Sequence, residues 1–183
     1  IQDLYAYSQL LLSISGVAVR YNTTGTAKKF WSSWREEEIP EAEMARIKAT
    51  PLTAAHRSAI FTDRPRWALE AFDRLHGSGV LVTDQDRLLV SLMRPDRFLD
   101  FARRFLFFDK KTGKIAARYQ QVQGVKAIIA QVSKIRPDGC REGGVIWHTT
   151  GSGKSNLMVF LTKALLLEPD LAGARVIVVT DRV

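Results

Sequence analysis

Cysteine and histidine, the side chains that build disulfides and soft metal centres, are scarce in this sequence: one cysteine, Cys140, and three histidines among 183 residues. A single thiol excludes an internal disulfide and a cysteine-rich metal site, and it fits a reducing, cytoplasmic setting. His56 and His76 have no partner at ligand spacing and read as structural or surface residues. Glu36, Glu37, Glu38, Glu41 and Glu43 cluster, but nothing fixes them against a second ligand, so a solvated helix face is the expectation. No apolar run approaches the roughly 18 to 20 residues of a membrane span, and the opening IQDLYAY lacks the basic, apolar and small-residue succession of a signal peptide. No membrane partner is expected. There is no internal repeat and no low-complexity tract. The abrupt start at Ile1 and stop at Val183 read as an excerpt of a longer protein.

What is present is globular material, 46% hydrophobic, with a formal net charge of +8 and a pI near 9.9. Such a balance favours an acidic partner such as nucleic acid without identifying one. The stretch from Gly143 to Phe160, GGVIWHTTGSGKSNLMVF, is the most informative. Val145, Ile146 and Trp147 read as a strand, and Leu157, Met158, Phe160, Leu161, Ala164 and Leu165 give the helix that follows an apolar stripe. Arg175 to Thr180 (RVIVVT) reads as a second buried strand. Between strand and helix, Thr149, Thr150, Gly151, Ser152, Gly153, Lys154 and Ser155 have the composition of a phosphate cradle. Gly151 and Gly153 allow the backbone to turn tightly, so that consecutive N–H groups face a polyanion. The helix adds the positive end of its dipole, Lys154 can reach terminal phosphates, and the Ser155 hydroxyl is placed to hold Mg2+. The strict G-x-x-x-x-G-K-[ST] pattern is not met, because its first glycine falls on His148.

Elsewhere, residues 8–22 read as a hairpin turning at Ser15 and Gly16, with Val17, Val19 and Tyr21 alternating on one face. Phe30, Trp31 and Trp34 read as anchors packing a loop. Helices are expected from Pro40 through Lys48, over Arg66 to Leu75, over Asp84 to Leu92, from Pro95 to Arg104, and over Tyr119 to Ile135. Leu106 to Arg118 reads as a hairpin around Lys111 to Gly113. Arg103, Arg104, Lys110, Lys111, Lys114, Arg118 and Lys126 face a single acid, Asp109, in the densest basic segment. A solvated hairpin and a phosphodiester-contacting surface both fit it.

Several of these stretches together resemble the motor-bearing restriction subunit of type I restriction-modification enzymes. YAYSQLLLSISG at Tyr5 to Gly16 resembles the close of that family's nuclease domain, and LMRPDRFLDFARRFLFFD at Leu92 to Asp109 the linker into its motor. ARYQQVQGVKAI at Ala117 to Ile128, GGVIWHTTGSGKS and VIVVTDR are similar to segments at the start of the motor. The resemblance covers somewhat more than half of the chain and leaves residues 36–90 unmatched. It implies an α/β fold: the end of a nuclease-domain β-hairpin in 1–35, a mainly helical linker or insertion in 36–104, and the start of a P-loop (RecA-like) parallel α/β motor lobe in 105–183.

The activity implied is that of a type I site-specific deoxyribonuclease, an ATP-dependent translocase of double-stranded DNA working with specificity and methyltransferase subunits. Lys154 would then be catalytic, Ser155 the Mg2+ ligand, and Gln121 the reader of adenine in ATP, with Gln120 as the fallback. Lys110, Lys111, Lys114 and Arg182 would contact DNA. The family's nuclease carboxylates would lie before Ile1, and its acidic magnesium motif and second lobe after Val183, so the excerpt alone is expected to bind ATP without turning it over. A P-loop small-molecule kinase, or a non-enzymatic basic DNA-binding adaptor with a vestigial loop, are the competing readings.

Overall fold

Ser15 turns the first hairpin, its hydroxyl donating to the Ala18 carbonyl at 3.0 Å and accepting the Ala18 N–H at 3.1 Å. The closure pairs β1 (Leu11–Ile14) with β2 (Val19–Asn22), where the sequence places a hairpin. The computed structural model describes residues 5, 7–35, 38–77, 81–171 and 173–179. It divides into two compact units. One gathers Ile1–Ser13, Arg20–Trp34 and Pro95–Val183, and the other Ile14–Val19 and Arg35–Arg94. Residues 20–34, expected to close a nuclease domain, thus share a unit with the residues expected to begin a motor.

In the first unit, Pro95 opens α5 (Pro95–Arg104), whose missing N–H costs nothing at a helix start. Phe101 on α5 and Phe105 just after it are buried, and they join Tyr21 of β2 and Trp34 in a line of edge-on and tilted rings about 6 Å apart. The Tyr21 hydroxyl is buried and donates to the Ala117 carbonyl at 2.8 Å. Burial pushes its ionisation far above the ordinary range, so it stays a donor. Next come β3 (Leu106–Asp109) and β4 (Gly113–Ala116), antiparallel with Leu106 opposite Ala116 and Asp109 opposite Gly113. Asp109 makes the turn, accepting from the Lys111 and Thr112 backbones at 2.9 and 2.8 Å, and Gly113 supplies a left-handed φ of 81°.

Helix α6 (Tyr119–Val132) buries Val122 and Val125, three apart on one face, and packs on α7 (Lys154–Leu167), which buries Leu157, Phe160 and Ala164. The Phe160 ring meets Phe107 and Phe105 and so extends the aromatic line. Arg104 joins the end of α5 to the chain beyond α7 through Glu168 at 2.7 Å. After α6 the chain doubles back, with the Arg136 N–H on the Cys140 carbonyl at 2.8 Å and a bridge between Ile135 and Arg141, and Cys140 lies exposed.

The second unit is helical. Met44 of α1 (Glu41–Lys48) and Leu88 and Leu92 of α4 (Asp84–Leu92) are buried as these two helices pack together. Between them in sequence lie α2 (Ala54–Phe61), capped by Thr53, and α3 (Arg66–Gly77), tied together by Arg57 on Asp73 and by the Phe61 and Phe72 rings 5.3 Å apart. The sequence reading missed α2, although Thr53 is a standard N-cap residue. Glu41 and Glu43 pair with Arg87 and Arg46, which fits the solvated face expected of them, while Glu36 and Glu37 lie outside the described residues.

The expected parallel strands are corrected by the structure. Neither Val145–Trp147 nor residues 174–179 form a ladder, and Thr180 lies outside the described residues. Val145 and Trp147 are more than 90% exposed, and Ile177 and Val179 more than 80%. A strand exists only through a neighbour's N–H and C=O groups. The named strands are consumed in two local hairpins, whose short turns close at little entropic cost, whereas a parallel pair needs a long crossover. The α/β character stands, but among the described residues both sheets are antiparallel pairs.

Asp86 is the clearest test of the helical unit. It caps α4 in a reciprocal box with Thr83 and accepts Lys48 Nζ at 2.6 Å. Burial would raise this carboxyl, but Lys48 and Thr83 hold it below its usual 3.8. A depressed carboxylate stabilises the fold above the unfolded value and stops doing so as pH falls through the folded one. Asp86→Asn should therefore lower stability by about 1 to 3 kcal/mol near neutrality. In urea titrations followed by helix signal, the gap from the parent should be full above pH 3.8 and close below it.

Candidate functional site

The loop before α7 has the backbone a phosphate cradle requires. Gly151 and Gly153 adopt φ of 77° and 85°, where side chains with a Cβ are strained. Gly153 is also the N-cap of α7 and has no side chain to satisfy the first turn. The first intrahelical bond runs from Leu157 N–H to the Gly153 carbonyl at 3.0 Å, so the Lys154, Ser155 and Asn156 N–H groups have no acceptor within the helix. Ser152 N–H closes the turn onto the Thr149 carbonyl at 3.2 Å. Lys154 is exposed and folds back across its own loop, donating to the His148 and Thr149 carbonyls at 2.7 and 3.1 Å. The ammonium is therefore held against the carbonyls at the entry of its own loop. Ser155, exposed on the first turn, and Thr149 and Thr150, exposed at the loop entry, stand where the sequence puts them.

Gln121 is brought to this loop, but in a role the sequence did not disclose. It is 3% exposed, and its Oε1 accepts the Arg118 N–H at 2.9 Å. Its Nε2 donates to the Gly153 carbonyl at 2.9 Å and, more weakly, to that of Ser152 at 3.4 Å. The carboxamide thus caps the start of α6 and fastens the loop before α7. Reading adenine would require it to leave those carbonyls. Gln120, the fallback, is half-buried one position earlier on α6.

A second residue absent from the sequence reading is Gly124. A Cβ there would come within 3.3 Å of both His148 Nε2 and Leu157 Cδ1, so a bare backbone lets α6 approach the loop and α7. A glycine inside an otherwise regular helix was the available signal. Beside the loop opens a cavity of about 460 Å3, bounded on this side by Arg118, Gln121, Ser152, Gly153 and Asn156.

The expected DNA-contacting residues are placed unevenly. Lys110 and Lys111 are exposed on the β3–β4 turn, whereas Lys114 Nζ is engaged with the Ser8 carbonyl at 2.8 Å. Arg104 is taken up by Asp100 and Glu168. Arg182 lies outside the described residues. His76 stacks on Phe72 at 4.4 Å, and among the described residues no group of histidine, cysteine and carboxylate side chains could hold a metal ion. Among the described residues no helix is long and apolar enough to cross a membrane.

Comparison with known proteins agrees with the resemblance read from the motifs. Residues 120–183 match the family model for the SWI2/SNF2 ATPase. The chain is 42% identical over 100 residues to the type I restriction enzyme HindI endonuclease subunit of Haemophilus influenzae, a match to 52% of this chain and 10% of that protein. A Methanocaldococcus jannaschii protein named for the same kind of subunit, MjaIXP, is 33% identical over 105 residues, 55% of this chain and 10% of its own. The chain therefore spans about a tenth of the length of these curated relatives. No solved structure gives a significant match. The chain is thus similar to type I restriction endonuclease subunits, and its residues 120–183 are similar to the SWI2/SNF2 ATPase family.

Removing the Gln121 fastening separates its two possible duties. Gln121→Ala leaves the Gly153 carbonyl short of a donor, a loss of about 1 to 3 kcal/mol, and loosens the loop. Affinity for inorganic tripolyphosphate, which has no base, should fall together with that for ATP in calorimetric titration. Weakened ATP with unchanged tripolyphosphate would assign the carboxamide to the base alone.

Proposed function

We propose that this chain is part of the ATP-dependent, DNA-translocating restriction endonuclease subunit of a type I restriction-modification system. The observation that carries the reading is the loop from Thr149 to Ser155: two left-handed glycines, three N–H groups at the start of α7 without an acceptor in the helix, and Lys154 folded back onto the loop's own carbonyls. That arrangement suits the β- and γ-phosphates of a nucleoside triphosphate, with the Ser155 hydroxyl holding Mg2+. Mg2+ would offset phosphate charge, and Lys154 would leave the His148 and Thr149 carbonyls to follow the charge that develops during phosphoryl transfer. The relatives supply the context, since they are named as restriction endonuclease subunits and the matching family model is that of an ATPase.

On this reading residues 1–35 close the nuclease domain, 36–104 link it to the motor, and 105–183 begin the first motor lobe. The partners would be double-stranded DNA and the specificity and methyltransferase subunits, in the cytoplasm. Hydrolysis and cleavage would draw on regions of the subunit other than this segment.

In the full-length protein, Lys154→Ala should reduce DNA-stimulated ATP hydrolysis by at least about a hundredfold while leaving the far-ultraviolet dichroism unchanged. An unchanged turnover rate would rule out the assignment of the loop. Lys110 and Lys111 are the better placed DNA contacts. Converting both to Gln should weaken binding to unrelated duplexes equally and reduce the slope of log affinity against log salt by about two. Adding Lys114→Gln should change little more, because that ammonium already serves the Ser8 carbonyl.

A further inference from the structure

The cavity beside the phosphate loop has a second wall, and it comes from the other end of the chain. Besides Gln121, Ser152 and Gly153 it is lined by Asn22, Thr26 and Phe30, and by Ile115 and Ala116 of β4. Its volume of about 460 Å3 lies within the roughly 300–1,000 Å3 usual for sites that take a small molecule. The segment that forms the far wall is firmly held. Asn22 Nδ2 donates to the Phe30 carbonyl at 2.9 Å, and Asn22 Oδ1 accepts the Thr23 N–H at 2.9 Å and the Thr26 hydroxyl at 3.1 Å. Trp31 Nε1 donates to the Thr26 carbonyl at 3.0 Å, and Tyr21 and Ser32 exchange backbone bonds at 2.8 and 3.1 Å.

Trp31 and Trp34 therefore behave as the packing anchors expected of them, but Phe30 does not. The residue is 53% exposed although its carbonyl is held by Asn22, and Lys29 Nζ lies 5.0 Å from the ring centroid. A half-bare aromatic ring on a rigid loop, at the wall of a cavity that ends at the phosphate loop, is placed for a flat group attached to phosphates.

We propose that the Asn22–Ser32 segment is the base-side wall of the nucleotide pocket and that Phe30 supplies the face on which the nucleobase stacks. The proposal rests on the reading of Thr149–Ser155 as a triphosphate cradle, and it adds a determinant of nucleotide affinity about a hundred residues upstream of that loop. Ile115 and Ala116 add apolar lining that would suit a base, and Arg118 and Asn156 are among the polar lining residues that would meet a ribose. Because the Gln121 carboxamide is committed to backbone partners, stacking on Phe30 provides base affinity without releasing the loop.

The test compares two probes, Mg-ATP and Mg-tripolyphosphate, by titration calorimetry on the full-length protein. Phe30→Ala should weaken ATP about tenfold and leave tripolyphosphate unchanged, and Phe30→Tyr should restore ATP binding. Equal weakening of both probes would make Phe30 a structural residue and overturn the proposal, as would unchanged ATP affinity. If the parent binds tripolyphosphate no better than its Lys154→Ala variant, the cradle reading fails, and the base-wall proposal falls with it. Because half of the Phe30 ring is already in water, truncation should leave the fold intact, and an unchanged unfolding midpoint verifies this.

Discussion

The site hangs on one side chain that gives its hydrogen-bonding capacity to the backbone. Gln121 fixes the first turn of α6 through the Arg118 N–H and the phosphate loop through the Gly153 carbonyl. A glycine at φ 85° is the least restrained residue a chain can offer, and a loop built on two of them would sample many shapes if nothing held it. The carboxamide restricts one of those glycines from outside the loop. A Cβ at Gly153 would stand 2.7 Å from Gln121 Nε2, so the fastening is possible only because residue 153 has no side chain. Loop conformation and helix start are thus one constraint.

The same dependence runs outward through buried polar contacts. Arg118 follows Ala117, whose carbonyl takes the Tyr21 hydroxyl, and Thr23 bonds the Lys114 carbonyl. β2 and the loop after it are therefore anchored to the strand and turn that lead into α6. The aromatic line from Trp34 through Phe101 and Phe105 to Phe160 fills the space beneath. The unit couples the early residues of the chain to the loop before α7 through contacts that no local pattern could announce.

What could be read from the sequence was what depends on near neighbours. The hairpin at Ser15, the hairpin over Leu106 to Ala116, α4, α5 and most of α6 follow from turn residues, proline position and apolar spacing. The tight turn at Gly151 and Gly153, both at positive φ, was legible as well, because a glycine turn is a local device. It did not reveal the duty of Gln121, which is defined by carbonyls 31 and 32 residues away, nor the exposure of Phe30, which depends on a cavity shared with β4. The parallel strands were misplaced for the same reason: Val145–Trp147 and Val176–Val179 have strand composition, but composition does not supply a ladder partner. Their exposure, together with that of Met158, Val159 and Leu166 on the outer face of α7, leaves apolar surface around the loop of the kind a sheet would normally cover.

The turn after α6 has a practical consequence. Cys140 is the chain's single thiol, exposed on the Arg136–Arg141 doubling-back, while Gln121 sits at the opposite end of α6. A helix of 14 residues is about 21 Å long, so a dye attached to that sulfur would sit on the turn past the end of α6 remote from Gln121 and the loop that it fastens. The segment carries a single thiol for site-specific labelling, and distance measurements from it could follow the loop before α7 without altering any residue that lines the cavity beside it.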